Sequence, residues 1–450
     1  MKIAVIGGAG VRTVIFINGL LKRYRKLHIE EVRLFDLNQE KQEIIGKLCR
    51  HVVEREKEDL KVEVCGDCRE TVRGVDYIVT TIRVGGDHSR VQDERAALSE
   101  GVLGQETTGA GGFAMAARAI PVLLDYCRIF RECAPDAWIF NFSNPSGMVT
   151  QALVSEGFDR VIGICDAPSA TKFRMAQKLG VAEEDLSVEF FGLNHLSWIR
   201  SVKKQGEEIL PQLLKDDAFL DSMQEFETFD HEVIRSSGFL PNEYLYYYYH
   251  REKAVANILA SGSTRGETIE QVNRQMFAEL SQMDIEQNPE EALQTFLYYM
   301  QVRENSYMSI ESGISARPLL EKGNLPVPDG MGYAGVMLDC IEGMQSEQGK
   351  ELVLCVKNKG SLTCVADEDI VEVTCRVSRD GIVPVTFGEI PPYCENLIRT
   401  IKAYEKCSVE AIKTQDREKA VWALAMNPLV NSWSIAKKLE EKFYQDRCGQ

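Results

Sequence analysis

Two patterns of apolar and polar positions divide the chain. In its first part, short apolar runs alternate with longer amphipathic stretches: KIAVIG (2–7), VRLFDL (32–37), VEVC (62–65), YIVTTI (77–82), AWIFNF (137–142), VIGIC (161–165) and SVEFFG (187–192) read as strands. They are bounded by Gly, Asp, Asn or Pro and mostly apolar on both faces, as strands buried in a parallel sheet are. Helical periods lie between them, for example NQEKQEIIGKLCRHVVERE (38–56), with Asn38 placed to cap it. This alternation predicts an α/β fold, a Rossmann-type doubly wound parallel sheet over residues 1–193. Residues 205–310 then run mostly helical, including TIEQVNRQMFAELSQM (268–283). A Gly/Pro-rich connection, GNLPVPDGMGY (323–333), leads into the β-rich ELVLCVKN and DIVEVTCRVSRDGIVPV, and helical periodicity resumes near Glu395. Residues 194–450 are therefore expected to form a mixed α+β domain that closes over the first and carries substrate and catalytic groups.

Composition narrows the class. A length of 450 residues fits two to three domains, and 44% apolar with 27% charged residues excludes disordered and coiled-coil chains. Lys+Arg 52 against Asp+Glu 68 gives −16, a field that repels nucleic acid and anionic membranes. An anionic small molecule would need a local basic pocket. Thirteen scattered cysteines, an odd number, read as free thiols of a reducing cytoplasm, and Cys65-x-x-Cys68 has no second pair at zinc spacing. The opening MKIAVIGGAG is too short an apolar run for a signal peptide, no stretch reaches a membrane span, and RCGQ matches no lipidation signal. A cytoplasmic location is expected.

Candidate chemistry gathers at the strand ends. Gly7-Gly8-Ala9-Gly10-Val11-Arg12-Thr13 follows the first strand and opens a helix, the context in which a helix N-terminus receives a pyrophosphate. Thr13 replaces the third glycine of the fingerprint, and a plain tight turn is the alternative. Asp36 ends the second strand, where a carboxylate accepts from ribose hydroxyls and disfavours a 2′-phosphate, so NAD is expected over NADP. The other strand ends carry Arg83, Asn144, Cys165-Asp166 and Asn194-His195. Strand ends supply polar residues in any α/β protein, yet this set offers a thiolate, an imidazole, a carboxylate and an amide on one rim. Metal ligation by Cys165 and His195 competes there with an inert buried thiol and a hydrogen-bonded histidine.

Three further segments stand out. GQETTGAGG (104–112) is a second glycine-rich turn before a helix, with tight backbone packing as its plainer reading. DHSRVQDERAALSEGV (87–102) reads as a long polar loop, in which Arg90 or Arg95 could grip a phosphate. Glu243-Tyr244-Leu245-Tyr246-Tyr247-Tyr248-Tyr249-His250 places five tyrosines in six residues of a helix. Most must be packing, but one facing a cation at the Cys165/His195 rim could act as a base.

Together these residues resemble the NAD- and divalent-metal-dependent glycoside hydrolases of family 4. The resemblance covers nearly the whole chain: the glycine turn, Arg90-x-x-Asp93-Glu94, GQETTGAGG, SNPSG (143–147), ICDAP (164–168), GLNHLSW (192–198), the tyrosine run, Thr264-Arg265-x-Glu267, NKGSL (358–362) and NPLV (427–430). It implies a fold similar to lactate and malate dehydrogenases, and an exception to the two-carboxylate mechanism of most glycosidases. In such enzymes NAD⁺ oxidises the sugar at C3, a tyrosine removes the acidified C2 proton, and the aglycone leaves C1 by elimination. A divalent ion (Mn²⁺, or Co²⁺, Ni²⁺ or Fe²⁺) assists, water adds, and the hydride returns. Carried to this chain, the resemblance makes Cys165 and His195 the metal ligands, Tyr244 the C2 base, Asp166 the acid and Glu106 the carboxylate that raises the tyrosine's basicity. It gives Gly7, Gly8, Gly10, Val11, Arg12, Asp36 and Arg83 to the cofactor, and Arg90, Asn144, Arg265 and Asn194 to the substrate.

The resemblance also bears on specificity. Arg-x-x-Asp-Glu resembles members acting on 6-phosphorylated sugars. Asp166 after Cys165 resembles the phospho-α-glucosidases, whereas QETT, SNPSG and GLNHLS are closer to the phospho-β branch. The expectation is a 6-phospho-β-glucosidase, with a 6-phospho-α-glucosidase as alternative and a homodimer or homotetramer as assembly. A 2-hydroxy-acid dehydrogenase on the same fold is more remote, since it leaves Cys165 and Tyr244 without a task. A non-enzymatic NAD-responsive sensor is the other rival. It would bind the cofactor without needing Cys165.

Overall fold

The computed structural model describes residues 1–328 and 332–445; positions 329–331 of the Gly/Pro-rich connection and the RCGQ ending lie outside them. The parallel core consists of β1 (Lys2–Ile6), β2 (Glu31–Phe35), β3 (Lys61–Val64), β4 (Tyr77–Thr80), β5 (Trp138–Asn141) and β6 (Val161–Gly163). Their spatial order is β3-β2-β1-β4-β5-β6, all parallel. This is the doubly wound order, and its direction reverses between β1 and β4, where ligands of such sheets bind. Ile3, Val5, Val32, Leu34, Ile78 and Phe140 are buried, as the apolar runs require. The helix Gln39–Arg55 forms as expected, with the Asn38 side chain accepting from Lys41 N at 3.0 Å.

The second half joins the same sheet. β7 (Leu186–Leu193), β8 (Leu196–Lys204), β9 (Glu207–Glu208) and β10 (Leu240–Pro241) form a small antiparallel sheet, whereas β11 (Lys350–Lys357), β12 (Ile370–Ser378) and β13 (Gly381–Pro384) continue the large sheet from β6. Cys355 of β11 pairs antiparallel with Gly163 of β6, making nine strands in all. The boundary expected at 193/194 thus falls within the turn of the β7–β8 hairpin.

Two expectations are corrected. SVEFFG was expected among the parallel strands, but β7 pairs antiparallel with β8. Its two faces are both apolar because it is packed between layers: Phe190, Phe191 and Trp198 are buried, and Phe190 N donates to Thr374 Oγ1 of β12 at 2.8 Å. The segment 87–102, expected as a solvated loop, is instead the helix Gly86–Ser99 over most of its length. Its inward face is charged rather than apolar, with Arg90, Asp93 and Glu94 buried in ion pairs with Glu94, Arg118 and Arg90 respectively. No described helix is long and apolar enough to cross a membrane.

Candidate active site

A cavity of about 660 Å³ opens at the carboxyl ends of the parallel strands. On its nucleotide side stands the first glycine turn. Gly7 has φ +100°, and a Cβ there would lie 2.5 Å from Thr81 O, so only glycine lets β1 end this close to β4. Gly8 packs on Leu34 and Phe35 of β2 and does not line the cavity, whereas Gly7, Gly10, Val11 and Arg12 do. The Asp36 carboxylate accepts from Ala9 N at 3.2 Å and Asn38 N at 2.9 Å, which fixes the turn and leaves Asp36 on the wall. At the start of the helix Thr13–Leu21 the Thr13 hydroxyl is buried without a hydrogen-bond partner among the described residues. A close backbone, a helix N-terminus and a strand-end carboxylate fit a dinucleotide.

Cys165 and His195 meet at the centre. Cys165 follows β6 and His195 sits in the tight β7–β8 turn at φ +60°, which brings Cys165 Sγ within 3.7 Å of His195 Nε2. A divalent ion bound at about 2.3 Å from sulfur and about 2.1 Å from nitrogen separates its donors by roughly 3.1 to 3.7 Å as the angle at the ion opens from a right angle to just past tetrahedral, so the pair fits one. Among the described residues no third His, Cys, Asp or Glu completes a cluster, which leaves coordination positions open to substrate or water oxygens. Burial holds the His195 imidazole neutral, pushed down to about 4 against the opposing charges of Glu106 and Asp166. Burial, with Glu372 and Asp166, pushes the Cys165 thiol far up, so an ion would have to displace its proton.

Around this pair the expected residues divide. Tyr244, in a short 3₁₀ turn (Glu243–Leu245) rather than a long helix, stacks on His195 with centroids 4.0 Å apart. Its phenol is pushed well above 10 by burial and by Glu243 and Cys165, with the neighbouring Tyr307 working against the shift. Asp166 lines the wall and accepts from Arg12 Nη1 at 2.5 Å, so the Arg12 guanidinium serves the rim rather than the glycine turn. Glu106 accepts from Arg83 at 2.6 Å and pairs with Arg90 at 3.0 Å; burial opposes its ionisation, but the two arginines outweigh it and hold it far below the usual carboxylate range. Asn144 lines the cavity, but Asn194 does not, because its amide is committed to Glu372 and Gly147. The second glycine turn takes its plainer reading: a Cβ at Gly111 would lie 2.1 Å from Gln105 O, and Gln105 Oε1 accepts from Thr107 N and Thr108 N.

Two further arginines line the cavity. Glu94 Oε2 accepts from Gly266 N at 2.7 Å, and Thr264 with Glu267 forms a capping box, so the helix Arg265–Leu280 begins where Arg265 faces the cavity. Arg265 Nη2 donates to Arg303 O at 2.6 Å, bringing in Arg303 near the end of the helix Pro289–Asn305. Neither Arg265 nor Arg303 has an ion pair among the described residues, unlike Arg83 and Arg90. Burial pushes Arg265 down, aided by Arg90, and pushes Arg303 down to about 10, aided by Arg12 and Arg83. Both guanidiniums line the cavity, with Glu304 and Glu311 lining it beside them. Arg303 and Tyr307 belong to no motif in the sequence, and only long-range helix packing brings them here.

Comparison with known proteins agrees with this architecture. A 6-phospho-β-glucosidase of Escherichia coli is 30% identical over 96% of this chain and 92% of its own length. A phospho-α-glucosidase of Clostridium acetobutylicum is 28% identical over 100% of this chain and 98% of its own. The 6-phospho-β-glucosidase of Thermotoga maritima, solved with manganese, NAD⁺ and glucose-6-phosphate, superposes with a TM-score of 0.83 at 26% identity over 100% of this chain and 98% of its own. A malate dehydrogenase of Plasmodium falciparum shares the fold alone, at a TM-score of 0.53. Residues 2–181 match the family 4 glycosyl hydrolases and residues 190–430 match their C-terminal domain, so the chain that builds this cavity belongs to glycosyl hydrolase family 4.

Proposed function

We propose that the chain hydrolyses 6-phospho-β-glucosides with NAD⁺ and a divalent ion of the Mn²⁺ type. One observation carries the reading: a single cavity holds the Cys165–His195 donor pair and the guanidiniums of Arg265 and Arg303, neither of which forms a salt bridge among the described residues. A sugar phosphate supplies both the hydroxyls for the first and the dianion for the second. When bound, the cofactors supply a hydride acceptor for sugar C3 and a Lewis acid for the C2 and C3 oxygens.

The chain's own residues do the rest. Gly7, Gly10 and Val11 cradle the pyrophosphate and Asp36 receives the ribose hydroxyls. Tyr244 takes the C2 proton, held in place by its stack on His195. An adjacent cation offsets the upward push on its phenol and populates the phenolate, the form that can accept the C2 proton. Asp166, oriented by Arg12 on the cavity wall, passes to the leaving oxygen a proton that it takes up from water. Glu106 balances Arg83 and Arg90 and reaches Tyr244 as charge rather than by contact. The described cysteines are all free, which suits a reducing cytoplasm. Asp166 on the wall beside Cys165 favours a second reading, the 6-phospho-α-glucoside.

The test is phenol release from chromogenic 6-phospho-β- and 6-phospho-α-glucosides with NAD⁺, Mn²⁺ and reductant, each omitted in turn. Release from the β anomer that needs NAD⁺ and metal, without net NADH, supports the proposal. Release from the α anomer alone replaces it with the second reading, and silence with both overturns it.

A further inference from the structure

Behind His195 lies a buried group that the proposed chemistry does not use. Glu372 on β12 is 1% exposed. Its Oε2 accepts from Asn194 Nδ2 at 2.8 Å, its Oε1 accepts from Ser197 Oγ at 3.3 Å, and the Cys355 thiol lies 3.5 Å from Oε2. Asn194 and Ser197 flank His195 in the β7–β8 hairpin. The other end of the Asn194 amide, Oδ1, accepts from Gly147 N at 3.2 Å, in the first turn of the helix Ser146–Ser155 that follows Asn144. One side chain of the two-residue turn is therefore held from both sides, by the C-terminal half of the chain and by the SNPSG segment.

The turn needs holding. His195 at φ +60° is in the left-handed region, which for a non-glycine residue stores on the order of 1–3 kcal/mol and persists only where the surroundings impose it. A carboxyl group buried among neutral donors stabilises a fold less than an apolar side chain of its size would. Its presence at this point therefore indicates orientation rather than stability. Groups one shell out from a metal-binding imidazole fix its direction in this way.

We propose that Glu372 is a positioning residue for His195: acting through Asn194 and Ser197, it sets the imidazole at the angle from which Nε2 and Cys165 Sγ share one divalent ion. This rests on the reading of Cys165 and His195 as metal ligands. The test measures Mn²⁺ affinity by electron paramagnetic resonance of free Mn²⁺ in the full-length protein, with NAD⁺ affinity titrated in parallel. Wild type is compared with His195→Ala, Glu372→Ala and Glu372→Gln. Glu372→Ala is expected to weaken Mn²⁺ binding about 10- to 100-fold while NAD⁺ affinity holds. Glu372→Gln, whose amide oxygen still accepts from Asn194, is expected to recover most of that loss. Wild-type Mn²⁺ affinity in Glu372→Ala overturns the inference. Unchanged affinity in His195→Ala overturns the metal-site reading instead. Should Glu372→Ala fail to fold, Asn194→Ala carries the test, and wild-type Mn²⁺ affinity in that variant overturns the inference equally.

Discussion

The Tyr244 ring lies on the His195 imidazole, centroids 4.0 Å apart and planes inclined by 27°. The residue assigned as base and the residue assigned as metal ligand therefore share a face with no solvent between them. Whatever charge reaches the imidazole is felt by the phenol beside it. That coupling matters because burial, Glu243 and Cys165 all oppose the phenolate.

Tyr244→Phe keeps the stack and removes only the hydroxyl. Loss of a positioned general base should lower kcat by about 10²- to 10⁴-fold. Mn²⁺ and NAD⁺ affinities should hold. Phenol release measures the first effect. Deuterium at C2 of the sugar recovered from D₂O should disappear with it, and a variant that still incorporates deuterium at the wild-type rate would remove Tyr244 from the role.

Loading the Cys165–His195 pair with Mn²⁺ at neutral pH should release about one proton, all of it from sulfur. The His195 imidazole, pushed down to about 4, is already neutral, while the Cys165 thiol is pushed well above 9 and is fully protonated. Calorimetry in buffers of different ionisation enthalpy counts the proton. Cys165→Ser should abolish the release, and a release that survives the substitution would mean that another group gives it up.

Most of the scaffold was legible because it obeys local rules. Buried parallel strands demand apolar runs, and their ends must carry the polar residues of the rim, which made Gly7, Asp36, Asn144 and Cys165 legible; His195 was legible from an equally apolar strand, although that strand pairs antiparallel. The helix Gly86–Ser99 was missed because its inward face is charged: Arg90, Asp93 and Glu94 are buried by ion pairs with partners that no local pattern reveals. Asn194 sits beside His195 in sequence but turns its amide to Glu372, some 180 residues away along the chain. Arg303 carries no signal of its own, since its place on the wall depends on one helix end meeting another.

Arg303→Met should raise KM for the phosphorylated substrate while leaving NAD⁺ binding intact. A charge-assisted hydrogen bond lost from a buried anion site weakens binding by about 1.5–3 kcal/mol, or roughly 10- to 150-fold. The folded protein should not suffer, because the guanidinium is already disfavoured by burial and by Arg12 and Arg83. Inorganic phosphate should protect wild type against thermal unfolding and protect this variant less. Equal protection would take the phosphate away from Arg303.

Glu243 gives the fold a pH dependence that one substitution should expose. Its carboxyl is pushed up to about 7 by burial and by Glu225, and its Oε2 has no hydrogen-bond partner among the described residues. In the unfolded chain the same group titrates near 4.5, so between these values the native protein holds the extra proton. The stability this contributes is complete below about pH 4.5 and is lost as pH rises through about 7. Glutamine at this position cannot titrate. Glu243→Gln should therefore gain on wild type as pH rises from 4.5 to 8, by up to about 3 kcal/mol. Thermal melts of both proteins across that range measure the difference. A gap that stays constant with pH would mean that Glu243 ionises in the folded protein much as it does in water, and that Glu225 and burial do not act on it as the geometry requires.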